Sequence, residues 1–121
     1  MRKLYKMIYG TTSFGSKTAY EYEVNKMLTH DNFDEEVKEG LVLVDFNANW
    51  CGPCRLLRPV LEEVAFNYKI FSVNIDNEEE LAMRYNVSSI PCLILFKDGI
   101  EIKRSIGLKS KDDIEKMLEE E

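Results

Sequence analysis

Cys51 and Cys54 are separated only by Gly52 and Pro53. Two cysteines at that spacing can close a small disulfide with little backbone movement. The spacing also sets the first at a helix N-terminus and the second one turn inside. There Cys51 faces backbone donors that have no partner within the helix, and the helix dipole adds to them. Both favour the thiolate, which is the nucleophilic form. Pro53 suits the first helical turn, because the amide hydrogen it lacks would be unpaired there.

Other uses of a close cysteine pair fit less well. A zinc site needs about four ligands, and beyond this pair the chain offers only Cys92 and His30. A structural disulfide framework would call for an even number of cysteines, and there are three. One close pair in such a chain suits a reducing compartment, where the pair is more often catalytic or metal-binding than structural. Thiol–disulfide chemistry is the strongest assignment.

The elements that must hold the pair follow from local pattern. Asp31–Glu39 places Phe33 and Val37 four apart, with Asp34, Glu35 and Glu36 at the positive end of a short helix that Gly40 stops. Leu41–Val44 is a continuous apolar run, the mark of a strand covered on both faces. A helix is predicted over Pro53–Tyr68, with Leu57, Val60, Leu61 and Val64 on one stripe and a kink at Pro59. Ile70–Ile75 reads as a strand. A short helix follows, capped by Asn77 with Glu80 as its reciprocal partner, and it stops near Tyr85–Asn86. Cys92–Phe96 and Ile100–Ile106 are strands joined by an Asp98–Gly99 turn. Ser110, with Asp113 three residues on, opens a last helix carrying Ile114, Met117 and Leu118. Glu21–Leu28 alternates weakly and is a candidate first strand. The expected architecture is an α/β layered domain with a mixed sheet.

The 121 residues suit one domain, and 45% apolar residues suffice for a core without staples. A net charge of -6 argues against nucleic-acid binding. No stretch approaches the roughly 20 apolar residues of a membrane span, and no signal-peptide core follows the charged start, so a soluble cytoplasmic protein is expected. Residues 1–20 differ in composition from the rest. They read as a loosely ordered extension, or as a segment that packs on the domain or a partner, ahead of a domain over 21–121.

The segment Val44-Asp45-Phe46-Asn47-Ala48-Asn49-Trp50-Cys51-Gly52-Pro53-Cys54 closely resembles the active-site strand and loop of the thioredoxin family. Ser89-Ile90-Pro91 followed by Leu93–Gly99 resembles the family's cis-proline strand and turn, and Gly107 resembles its glycine beside the substrate groove. The likeness covers residues 22 to 121. It implies the thioredoxin fold, with a central mixed sheet of four to five strands flanked by about four helices. It also implies a protein-disulfide reductase, in which Cys51 attacks a target disulfide and Cys54 resolves the mixed disulfide. Asp45, following four apolar strand residues, would be buried, its pKa raised, and able to exchange a proton with Cys54. The plainer alternative is an aspartate at a strand end facing solvent.

The resemblance further implies a cis Ile90–Pro91 bond facing the sulfurs, with Ile90 backbone free to pair with an extended substrate. Trp50, Gly52, Pro53, Ile90, Pro91 and Gly107 would bind that substrate. Without the resemblance, Pro91 could simply begin an edge strand, and Trp50 could be ordinary core. No bound cofactor or metal is expected, and electrons would come from NADPH through a thioredoxin reductase. The expected partners are disulfide-containing proteins and that reductase, not nucleic acid or membrane, and the chain is expected to be a monomer.

Three positions depart from the family pattern. Asn47 stands where many members have an aromatic residue, and Ser72 where many have a lysine near the buried acid. Losing that positive charge would raise the pKa of Asp45 further. Cys92 replaces a common threonine, either as a small buried strand residue or as a third thiol that modulates the pair. His30 reads as a surface or capping residue. Two rivals remain: an oxidant or isomerase, against which Gly52-Pro53 argues, and a binding module whose thiols are incidental.

Overall fold

The computed structural model describes residues 26–119. The elements run in the order α1 (Phe33–Val37), β1 (Leu41–Asn47), α2 (Gly52–Val64), β2 (Lys69–Asn74), α3 (Glu79–Arg84), β3 (Cys92–Lys97), β4 (Ile100–Ile106) and α4 (Lys111–Glu119). The four strands form one mixed sheet in the order β2-β1-β3-β4, with β1 parallel to β2 and the other pairs antiparallel. Both faces are covered, as the unbroken apolar run of β1 requires.

Side chains alternate across the sheet, so β1 feeds two cores. Val42, Val44 and Phe46 pack with Phe33 and Val37 of α1 and Leu81 of α3. Leu43 packs on the opposite face with Leu57, Leu61 and Val64 of α2 and Ile114 and Leu118 of α4. Asp45 and Asn47 share that second face, beneath the helix that carries Cys54.

Local turn chemistry is met where it was predicted. Gly40 adopts φ 75°, and Asp98 and Gly99 adopt φ 51° and 86°, the doubly positive pair of a tight hairpin turn. Asn86 ends α3 at φ 55°. The Ser110 hydroxyl accepts the Asp113 amide at 3.1 Å and caps α4.

Other expectations are corrected. α2 stops at Val64, not Tyr68, because Phe66 and Asn67 donate to Glu63 and Val64, three residues back, which tightens and ends the last turn. Asn77 does not cap α3. The Asn74 carboxamide oxygen accepts the Asp76 amide at 2.8 Å, and this turn delays the helix until Glu79, with Glu78 in the capping position and no side-chain cap bond. The candidate first strand falls partly outside the described residues. Within them, Met27 forms an isolated parallel bridge to Ser72, flanked by Leu28 N to Ser72 O at 2.7 Å and Ser72 N to Lys26 O at 3.1 Å. The suggested extension, residues 1–20, lies outside the described residues.

Candidate active site

β1 ends at Asn47, and a short loop delivers the chain to Cys51, the residue that caps α2. Its backbone is extended (φ −87°, ψ 113°), and its Sγ accepts the Cys54 amide at 3.1 Å. That is the placement expected from Cys-Gly-Pro-Cys: a sulfur at the positive end of a helix, facing an amide with no helical partner. Cys51 and Cys54 are joined as a disulfide, their Cα atoms 5.2 Å apart. Both residues are nearly sealed, at 4% and 3% exposure, in a small cluster with Ala48 against which Ile75 and Ile90 pack.

The end of the sheet assembles the remaining surface. The register pairs Phe46 with Cys92 and Cys92 with Ile106, so the exit of β1, the entry of β3 and the exit of β4 lie together. Ile90 and Pro91 are joined by a cis bond, with Ile90 half-buried and Pro91 buried. The Gly107 amide donates to the Pro91 carbonyl at 2.8 Å. Gly107 sits at φ +97°, which strains any other residue even though a Cβ would meet open space. Gly52 and Pro53 are exposed. Trp50 is 65% exposed, its indole Nε1 donating to Asp76 at 3.0 Å, so it is surface and not core. Asp76 had no signal in the sequence beyond being acidic.

Asp45 shares a cavity with Arg58, Leu61 and Glu62 of α2 and is 7% exposed. Burial pushes its carboxyl up from 3.8 to about 7, against the opposing pull of the Asn47 hydrogen bond and the Arg58 charge. Asn47 Nδ2 donates to Asp45 Oδ2 at 3.1 Å, to the Asp45 carbonyl at 3.0 Å and to Ser72 Oγ at 2.7 Å. Sequence reasoning marked Asn47 and Ser72 only as departures. Their hydrogen bonds follow from the parallel register, which sets Asp45 beside Ser72.

The thioredoxin family profile matches residues 24–120. The chain belongs to the thioredoxin family. It is similar to the thioredoxin of Chlamydia trachomatis, at 49% identity over 96 residues, covering 77% of this chain and 94% of that protein. Against the thioredoxin of Staphylococcus aureus, identity is 41% over 96 residues, with 76% and 92% covered. Among solved structures, a mutant thioredoxin from Halobacterium salinarum superimposes with a TM-score of 0.76 at 30% identity, covering 81% of this chain and 90% of the other.

Thioredoxins are thiol–disulfide oxidoreductases, and this chain carries their reactive pair at disulfide distance. They bind no cofactor, because the redox centre is part of the polypeptide. The family generally acts on disulfide substrates and is reduced by thioredoxin reductase. Among the described residues no helix is long and apolar enough to cross a membrane.

Two further candidates are His30 and Cys92. His30 is exposed at the surface, its ring Nδ1 3.1 Å from Glu78 Oε1, which also accepts the His30 amide at 2.9 Å. Cys92 is 1% exposed and belongs to the core on the sheet face away from α2. Burial pushes its thiol up, which further lowers its reactivity. Iodoacetamide should therefore label Cys51 in the folded, reduced protein and reach Cys92 only after unfolding. Peptide mass spectrometry showing Cys92 labelled in the native state would contradict this.

Proposed function

We propose that the chain is a protein-disulfide reductase in which Cys51 is the attacking nucleophile, Cys54 the resolving thiol and Asp45 the proton acceptor. The Cys51 thiolate attacks one sulfur of a target disulfide. A Cys51–target bond forms, and the other target sulfur leaves as a thiolate. Cys54 then gives its proton to the Asp45 carboxylate and attacks the Cys51 sulfur. The Cys51–target bond breaks, the target sulfur held on Cys51 leaves with the electron pair, the Cys51–Cys54 disulfide reforms, and the target has gained two electrons.

The observation that carries this reading is Cys51 Sγ at the capping position of α2, accepting the Cys54 amide at 3.1 Å. Asp45 fits its role because its carboxyl titrates at about 7 and it faces the helix that bears Cys54. The surface formed by Trp50, Gly52, Pro53, Ile90, Pro91 and Gly107 binds an extended segment of the target, the Ile90 backbone pairing with it. Electrons come from NADPH through a thioredoxin reductase, and the chain acts as a monomer in the cytoplasm. The family match, which begins at residue 24, supports a thioredoxin domain over 21–121 with residues 1–20 as an extension.

Trp50 is the sole tryptophan and adjoins the pair, so its fluorescence reports redox state in graded dithiol buffers. A midpoint near the value of about −270 mV characteristic of thioredoxin is expected of a reductant. A value between about −180 and −120 mV would make the chain an isomerase or oxidant instead.

A further inference from the structure

Oδ1 of Asp45 is the one side-chain polar atom among the described residues that is both sealed from solvent and without a hydrogen-bond partner. The other oxygen, Oδ2, is held by Asn47 at 3.1 Å, and Asn47 is in turn tied to Ser72 Oγ at 2.7 Å. An unpaired buried acceptor is costly, and here it belongs to the residue assigned to receive a proton. Beside it lies a cavity of about 440 Å³ lined by Asp45, Asn47, Asn49, Arg58 and Ser72 among others. Asp45 and the two residues of its polar bracket thus all face the same cavity.

We propose that Asn47, braced on Ser72, is a positioning residue for Asp45: it holds Oδ2 and leaves Oδ1 as the free oxygen that takes the Cys54 proton. This rests on the assignment of Asp45 as proton acceptor. A carboxamide donor favours the ionised carboxylate, the form able to accept. A phenylalanine in place of Asn47 could not supply this donor. The other ionisable groups that share the cavity with Asp45 or couple to it are Arg58 and Glu62 on α2, the helix that also carries Cys54, and the Cys92 thiol on β3, while β2 presents the neutral Ser72. Arg58 also favours the carboxylate, but as an exposed side chain it exerts a weaker pull than the buried amide.

The test follows the resolving step alone. A mixed disulfide of Cys51 with nitrothiobenzoate is formed, and release of the coloured thiol by Cys54 is timed against pH. In the native chain the rate rises with ionisation of Asp45. Asn47→Leu is expected to move that rise up by about one pH unit, slowing release about fivefold at pH 7 while leaving the alkaline plateau unchanged. Ser72→Val should shift the rise in the same direction by less, and Ser72→Thr, which keeps the acceptor, should restore the native profile. A purely structural role would lower the plateau and leave the midpoint in place.

An unshifted midpoint in Asn47→Leu overturns the proposal, provided Asp45→Asn still removes the pH-dependent rise. If Asp45→Asn leaves the rise intact, the assignment of Asp45 itself falls, and the proposal with it. Should Asn47→Leu fail to fold, the Ser72→Val and Ser72→Thr pair decides: identical midpoints for the two overturn the role of the brace.

Discussion

Replacing Cys54 with serine is expected to stop turnover while leaving the first chemical step intact. Cys51 keeps its place at the cap of α2 and still attacks, but the covalent adduct has no internal thiol to resolve it. The adduct should therefore accumulate to one equivalent and persist until external dithiol is added. Replacing Cys51 with serine removes the nucleophile, so neither turnover nor adduct is expected. In both variants steady-state reduction of a disulfide-bonded protein should fall by more than about a thousandfold, since both act in the same covalent cycle. Intact-mass measurement of the adduct separates the two roles. An adduct on Cys51→Ser but not on Cys54→Ser would reverse the assignment of attacking and resolving thiols. Comparable residual turnover in both would leave only a binding function for the fold.

A second large effect concerns stability and pH in the disulfide form. Asp45 ionises near 3.8 when unfolded and at about 7 when folded. Below about pH 3 it is protonated in both states and costs the fold little. As pH rises from about 4 towards 7, the unfolded chain has released this proton while the folded chain retains it, so each further pH unit destabilises the fold. Above about pH 8 the cost is constant, on the order of 4 kcal/mol. Asp45→Asn removes the titration and nearly preserves shape. Its stability relative to the native chain should therefore rise between pH 4 and pH 8.5 by an amount of that order. Denaturant unfolding at the two pH values measures it. Equal differences at both would mean that Asp45 is solvated and unfit for the role assigned to it.

The two effects share a physical origin. The site places a thiolate where helix dipole and amide favour charge, and a carboxyl where burial disfavours it. On the proposed mechanism the first arrangement lowers the cost of attack, and the second would keep a proton acceptor poised near neutral pH at the expense of stability.

Much of this was legible from neighbours along the chain. Cys-Gly-Pro-Cys determines a capping sulfur, because helix ends are satisfied by residues within one turn. Leu41–Val44 determines a strand buried on both faces, because no one-sided arrangement accommodates four apolar residues in a row. Asp98–Gly99 and Ser110 determine a turn and a cap for equally local reasons.

What required tertiary structure depends on strand register and on which face each residue meets. Asn77 has the composition of a cap but loses the role to a turn made by Asn74, and α2 ends four residues early where three-residue bonds replace four-residue ones. Cys92 neighbours the cis proline in sequence, yet strand alternation buries it on the face away from α2. The bracket of Asn47 on Asp45 and Ser72 joins two strands 25 positions apart, and only their parallel pairing brings the three side chains together. Sequence by itself determined where the sulfurs stand. Only the packed sheet decided how the buried acid beneath them is held, because hydrogen bonds between strands depend on register, which no local pattern of residues encodes.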